Sequence, residues 1–267
     1  MVIVWWVVNL TTFVIGLPVI CLAIYVLYRQ ARENRGANVY VINLLITDLL
    51  QFAGRLGFSF YSEGQLFFYL TFLYGIVLSV GFMLCIAIER YLTIACPHWY
   101  SVHCTVKRSV LTSLVVWVVS IPIMGPILLT FTSTTGWYVL QVLLLLPFPL
   151  LVFLFVGTWR GLSKVLSLPS REKRRILAML ALVIGNYTFL FLPFILVSLV
   201  KEDYQFIFHL LGLILMCFSP LLDSVLYIFM RKDTRHILED FPCCRKPHSE
   251  SRETDTTLTV FENVTNV

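Results

Sequence analysis

The stretch QLFFYLTFLYGIVLSVGFMLCIAI, residues 65–88, contains no Asp, Glu, Lys or Arg. A helix rises about 1.5 Å per residue and the hydrocarbon of a bilayer is about 30 Å thick, so this run crosses once with some tilt. It is hydrophobic all round, where a helix of a water-soluble protein carries a polar face. Composition agrees: 58% of residues are hydrophobic and only 13% charged, with a mean hydropathy of +0.85, so water is not the main solvent.

Outward from this run the pattern repeats. Met1 to Tyr28 and Ile176 to Val200 are also free of charge and long enough for one crossing each. Ser109 to Trp159 is uncharged but about twice the length one span needs, and the turn-rich Thr132-Ser133-Thr134-Thr135-Gly136 at its middle implies two helices joined by a tight turn. Val39 to Ser62 carries only Asp48 and Arg55, and Tyr204 to Met230 only Asp223. The expectation is an all-α integral membrane protein: a seven-transmembrane helix bundle over residues 1–230, then a short amphipathic inner-leaflet helix and a disordered cytoplasmic tail over 231–267.

Loop charge sets the orientation, because Lys and Arg in short loops collect on the cytoplasmic side. Arg29, Arg32 and Arg35 with Glu33 make a net +2; Lys107 and Arg108 make +2; Arg160, Lys164, Arg171, Lys173, Arg174 and Arg175 with Glu172 make +5. The opposing loops, with Glu63 and Lys201-Glu202-Asp203, come to −2. A multi-pass plasma-membrane protein is expected, with its N-terminus extracellular and its C-terminus cytoplasmic. The overall +5 belongs to inner-face loops, so no nucleic-acid partner is implied. Met1 leads straight into the first helix, and no removable signal peptide is expected.

Of the seven cysteines, Cys21, Cys85 and Cys217 fall in spans, Cys96 and Cys104 at an inner loop, and Cys243 and Cys244 in the tail. An outward disulfide is not expected. Ile237, Leu238 and Phe241 form an apolar stripe beside basic residues, so Cys243 and Cys244 suit palmitoylation on a helix lying along the inner leaflet. The sequons at Asn9, Asn186 and Asn263 fall in or beside a span, inside a span and in the cytosol, and read as chance matches.

An ionisable group in hydrocarbon needs a partner or a wet cavity. Asp48 and Arg55 share one helix face but lie about 10 Å apart along the axis, too far for a direct bond. Asp48 is expected to face Asp223, with a cation or a shared proton between them. For Arg55 two readings stand: snorkelling to the outer headgroups, or anchoring an anionic ligand.

The third span ends in Glu89-Arg90-Tyr91. With Leu44-Leu45-Ile46-Thr47-Asp48, Trp117, Phe191-Leu192-Pro193 and Asp223-Ser224-Val225-Leu226-Tyr227 in the appropriate helices, the chain resembles the rhodopsin-like (class A) G-protein-coupled receptors. The similarity leans to the branch that recognises nucleotides, lipids and protons, and through Pro97-His98-Trp99-Tyr100 more weakly to the Mas-related receptors. The resemblance implies that Glu89 holds Arg90 at rest, and that Glu89, Arg90, Tyr91 and Tyr227 serve G-protein coupling. It also implies that Phe191, Pro193 and Asp223 act as the activation switch, and that Asp48, Ser79, Ser219 and Asp223 form a sodium pocket, whose carboxylate and hydroxyl oxygens suit a small hard cation. Beyond a structural sodium ion no cofactor is implied.

The departures are specific. Ile20 stands where the family has Asn, Gln65 where it has Cys, Gly157 where it has Tyr, and Ser224 where it has Pro. Lys173 occupies a position that often carries an acid locking Arg90, so the lock becomes a like-charge repulsion. The loss of the Tyr pulls against signalling, which leaves an atypical or decoy receptor as the alternative.

Phe58, Phe67, Phe68, Tyr74, Phe206 and Leu210 in the outer half favour an amphipathic ligand, lipid-like or nucleotide-like, and Arg55 adds a site for an anionic group. Arg55, Tyr74 and His209 are the candidate ligand residues. A heterotrimeric G protein is the expected partner, with arrestin on the Ser/Thr-rich tail and a PDZ domain on Thr265 to Val267. A transporter would show internal repeats, and none is visible. A retinal protein would need a Lys in the seventh helix, and Tyr204 to Met230 has none. No phosphate loop, zinc cluster or nucleophile constellation points to an enzyme.

Overall fold

The computed structural model describes residues 2–32, 39–60, 64–96, 100, 105–129, 134–164, 170–196 and 202–229. The elements are α1 (Val2–Arg32), α2 (Val39–Phe60), α3 (Gln65–Ala95), α4 (Val106–Leu129), α5 (Thr134–Leu145), α6 (Pro147–Lys164), α7 (Ser170–Leu196), α8 (Glu202–Cys217) and α9 (Ser219–Phe229). Among the described residues every one of these elements is a helix, as the all-α reading requires. The inner-leaflet stripe, Cys243, Cys244, Thr265 and Val267 lie outside the described residues, as do the side chains of His209 and Tyr227.

Among the described residues, six segments are long and apolar enough to cross a membrane: Trp6–Tyr28, Val39–Phe60, Gln65–Ala95, Val106–Leu129, Tyr138–Ser163 and Ile176–Ile195. The seventh crossing is α8 followed by α9, whose apolar middle is Leu210–Ser224. Several helices run past the edges of the uncharged stretches. α3 continues through Glu89 and Arg90 to Ala95, and α7 begins upstream among the basic residues at Ser170. Backbone hydrogen bonding does not stop where charge begins, because charged side chains at a membrane edge reach water while the helix continues. Of the turn expected over Thr132 to Gly136, Thr134 to Gly136 belong to α5, while Thr132 and Ser133 lie outside the described residues.

Two crossings are interrupted in mid-span. Between α5 and α6 the chain turns at Leu146, ahead of Pro147, which has no N–H to donate to the preceding turn. Between α8 and α9 it turns at Phe218, ahead of Pro220. There the backbone tightens: Phe218 N–H donates to the Leu215 carbonyl at 2.9 Å, and Leu221 N–H donates to the Phe218 carbonyl at 3.1 Å. A regular helix would send the Leu221 N–H to Cys217 instead.

α3 is the central strut, packed against α2, α4, α6 and α7; α1 closes the ring against α2 and α9. α2 and α3 touch through their backbones. A Cβ added at Gly54 would lie 2.6 Å from the Phe72 nitrogen, so only glycine fits there. The solvent-facing pattern is inverted relative to a water-soluble protein. Leu111, Leu114, Val118 and Ile121 of α4 point outward, while Asn9, Thr12, Asp48, Gln51, Arg55, Asn186 and Asp223 are buried. Lipid accepts the former, and the bundle interior shelters the latter.

Candidate functional site

The break at Phe218 builds the first half of the site. It releases the Cys217 carbonyl from the helical ladder, and Arg55 Nη1 donates to that oxygen at 2.9 Å. The same Nη1 donates to the Thr12 hydroxyl at 3.3 Å. The guanidinium carbon sits 4.7 Å from the centre of the Phe52 ring and 5.9 Å from that of Phe72, a cation–π arrangement. Arg55 is 2% exposed, so the snorkelling reading is corrected: a waiting carbonyl and two aromatic faces hold the charge inside the bundle. Its Nε and Nη2 are buried without a hydrogen-bond partner.

Arg55 also lines a cavity of about 220 Å³, whose other walls are Phe58, Tyr69, Phe72 and Leu213. Of the other candidate ligand residues, Tyr74 is placed elsewhere. Its hydroxyl donates to the Trp117 carbonyl at 2.9 Å, and its ring meets the Trp117 ring edge-on at 6.1 Å. Trp117 Nε1 in turn donates to Asn43 Oδ1 at 2.9 Å, so this set ties α2, α3 and α4 together. His209 lies on α8.

The second half is a carboxylate pair. Asp223 Oδ2 accepts from Ser79 Oγ and Ser219 Oγ, each at 3.3 Å, and Asp223 Oδ1 accepts from Asn186 Nδ2 at 2.5 Å. Asp48 is fully buried, and neither of its carboxylate oxygens has a hydrogen-bond partner. Asp48 lies near enough to Asp223 for the two carboxylates to act on each other electrostatically. Of the expected quartet, Ser79, Ser219 and Asp223 are joined by hydrogen bonds, and Asp48 is buried on α2 without one. Asn186 is the member the sequence reading missed. Its signal was an amide in the middle of an apolar helix, which needs a polar partner as much as a charge does. Among the described residues no three His, Cys, Asp or Glu side chains cluster, so there is no set for a transition metal. Two carboxylates with two hydroxyls do suit a small hard cation, and the unmet Asp48 oxygens offer it ligands.

At the far end of α3, Glu89 Oε1 accepts from the Tyr100 hydroxyl at 2.8 Å. Burial, and next the bond to Glu89, push the Tyr100 phenol up to about 12, so it remains a donor across the physiological range. Arg90 follows on the same helix end. The Tyr91 ring packs against Phe153 at 6.3 Å and covers Gly157, where an added Cβ would meet Tyr91 Cε2 at 2.7 Å. The glycine that departs from the family pattern is thus the floor on which Tyr91 rests.

Phe191 is fully buried one turn from Tyr187, with ring centres 5.1 Å apart. Tyr187 donates its hydroxyl to the Leu144 carbonyl, beside the α5–α6 break, and Gln141 Nε2 donates to the Phe194 carbonyl at 3.2 Å. Pro193 lies within α7 and leaves the Phe189 carbonyl without its helical donor. The expected switch residues Phe191 and Pro193 therefore sit where α7 meets α5.

The chain matches the family model "7 transmembrane receptor (rhodopsin family)" over residues 20–138. G-protein coupled receptor 68 of Mus musculus is 27% identical over 273 residues, covering 87% of this chain and 74% of the relative. The Homo sapiens protein of the same name is 34% identical over 121 residues, which span 42% of this chain and only 33% of that relative's length. C-C chemokine receptor type 1 of Macaca fascicularis is 26% identical over 270 residues, covering 88% of this chain and 72% of its own. By its match over residues 20–138 and by these relatives, the chain resembles the rhodopsin-like seven-transmembrane receptors, and it is similar over most of its length to G-protein coupled receptor 68 of Mus musculus.

Proposed function

We propose that the chain is a plasma-membrane receptor that transmits binding of an amphipathic, anionic extracellular ligand to a heterotrimeric G protein. The observation that carries the reading is Arg55. It is a buried guanidinium with two unmet N–H-bearing nitrogens, behind the apolar wall of a cavity that its carbon atoms bound together with Phe58, Tyr69, Phe72 and Leu213. Apolar walls with one fixed charge buried behind them suit a ligand with a hydrophobic body, whose anionic head would meet Arg55 once its side chain turns into the cavity. Arg55 also holds the carbonyl at the α8–α9 break, so a ligand that engages it acts on the helix bearing Asp223.

Asp48, Ser79, Ser219 and Asp223 hold a sodium ion in this reading. Held there, it would offset one of the two carboxylate charges between α2, α3 and α9 at rest. Activation swings α7 about Pro193 and exposes Arg90 to the G protein, with Tyr91 and Tyr227 beside it. The amino end is extracellular and the tail cytoplasmic, where Cys243 and Cys244 take palmitate, arrestin reads the phosphorylated tail and Thr265 to Val267 engage a PDZ domain. The chain performs no catalysis.

A second reading, a receptor with weak or absent coupling, draws on Gly157. Tyr91 occupies the space that a Tyr at 157 would need. The similarity to a chemokine receptor and to proteinase-activated receptor 2 of Rattus norvegicus leaves the transporter alternative without support.

The test is nucleotide exchange on each main G-protein family, co-expressed with the receptor and without added ligand. Wild type is expected to raise exchange on at least one family, and Arg90→Ala to abolish this at equal surface expression. Exchange that persists in Arg90→Ala removes the role of Arg90, and silence of the wild type with every family favours the uncoupled reading.

A further inference from the structure

Asp48, Gln51 and Arg55 follow one another along α2 at spacings of three and four residues, which places them on one helix face. All three are buried. Their unmet groups are complementary: Asp48 leaves both carboxylate oxygens and Gln51 leaves Oε1 without partners, while Arg55 leaves Nε and Nη2. Gln51 is pinned between the two charges by Nε2 donating to the Gly75 carbonyl at 3.4 Å. The rise of about 10 Å between Asp48 and Arg55 rules out a direct bond but not an interaction of charges through a polar column. The charges acting on Asp48 are Asp223, of like sign, and Arg55, of opposite sign. Asp223, by contrast, is met by three uncharged donors, Ser79, Asn186 and Ser219.

We infer that Arg55 is the internal countercharge of the Asp48–Asp223 pair and sets how tightly that pair holds a small cation. The inference rests on the sodium reading above. Two carboxylates call for two positive charges. Arg55 supplies one from within the chain, which leaves one for a recruited ion. Unit charges about 10 Å apart at an effective dielectric of about 20 change an ion's affinity roughly tenfold. Arg55 therefore weakens sodium binding, and removing its charge strengthens it.

Thermal unfolding of purified full-length wild type, Arg55→Met, Arg55→Lys and Asp48→Asn at pH 8 tests this, with sodium chloride exchanged for choline chloride at constant ionic strength. Arg55→Met is expected to melt lower in absolute terms, yet to reach half of its sodium-dependent stabilisation at roughly tenfold less sodium than wild type. Arg55→Lys keeps the charge and is expected to follow wild type; Asp48→Asn is expected to lose the sodium response. A midpoint in Arg55→Met equal to or above that of wild type overturns the countercharge. Melting independent of sodium in both wild type and Arg55→Met overturns the cation pocket itself.

Discussion

The two interrupted crossings solve one problem in different ways. At Leu146 and at Phe218 a proline frees a stretch of backbone inside the membrane, and a side chain from another helix meets a carbonyl beside each break. At the first, the neutral phenol of Tyr187 reaches Leu144; at the second, the guanidinium of Arg55 reaches Cys217. The phenol satisfies the backbone and adds nothing more. The guanidinium satisfies it and brings a charge, with two further donor nitrogens unmet, close behind the wall of a cavity and to the same helix face as Asp48. A broken helix is tolerated in lipid only where the interior supplies a donor, and the kind of donor decides whether the break is structural or also a site.

Three substitutions sharpen this contrast. The largest effect belongs to Gly212→Leu. A Cβ at Gly212 would lie 2.9 Å from the Phe194 Cα, so α8 cannot keep its place against α7 beside the charged break. A loss of about 3 kcal/mol is expected, read as failure to reach the cell surface. An intermediate effect is expected from Tyr187→Phe, which leaves the buried Leu144 carbonyl unmet at a cost of about 2 kcal/mol. Purified protein should melt several degrees lower, with sodium dependence unchanged, because no charge is involved. The smallest belongs to Thr12→Val. It removes the 3.3 Å acceptor of Arg55 but spares the Cys217 carbonyl, so about 1 kcal/mol or less is expected in the same melting assay. A Thr12→Val loss larger than that of Tyr187→Phe would mean that Thr12, and not the broken helix, holds Arg55.

Much of the site was legible before any fold was drawn, for a reason peculiar to lipid. Asp48, Arg55 and Asp223 stand out because an ionisable residue in an apolar run has no cheap place to go except the interior. The same rule covers Asn186, which the sequon match disguised. Partners were harder to read. Nothing along α2 says that Arg55 turns inward, since a long side chain near a span's end has water within reach as an alternative. The deciding fact is the Cys217 carbonyl, freed by a break on a helix more than 150 residues away. Tyr74 shows the same limit: its sequence position suits a ligand contact, but Trp117 of α4 stands close enough to take its hydroxyl.

What the sequence determined by itself is the solvent and the count. Six apolar stretches, one of them twice the length of a span, make seven crossings, and each polar exception within them needs a partner or a way to water, because local length and transfer cost need no knowledge of neighbours. The tertiary structure decided the pairings: Arg55 with a broken helix, Asn186 with Asp223, Tyr91 on the bare floor of Gly157. Those depend on how closely helices approach and where their ladders fail, and both are set by the packing of side chains far apart along the chain.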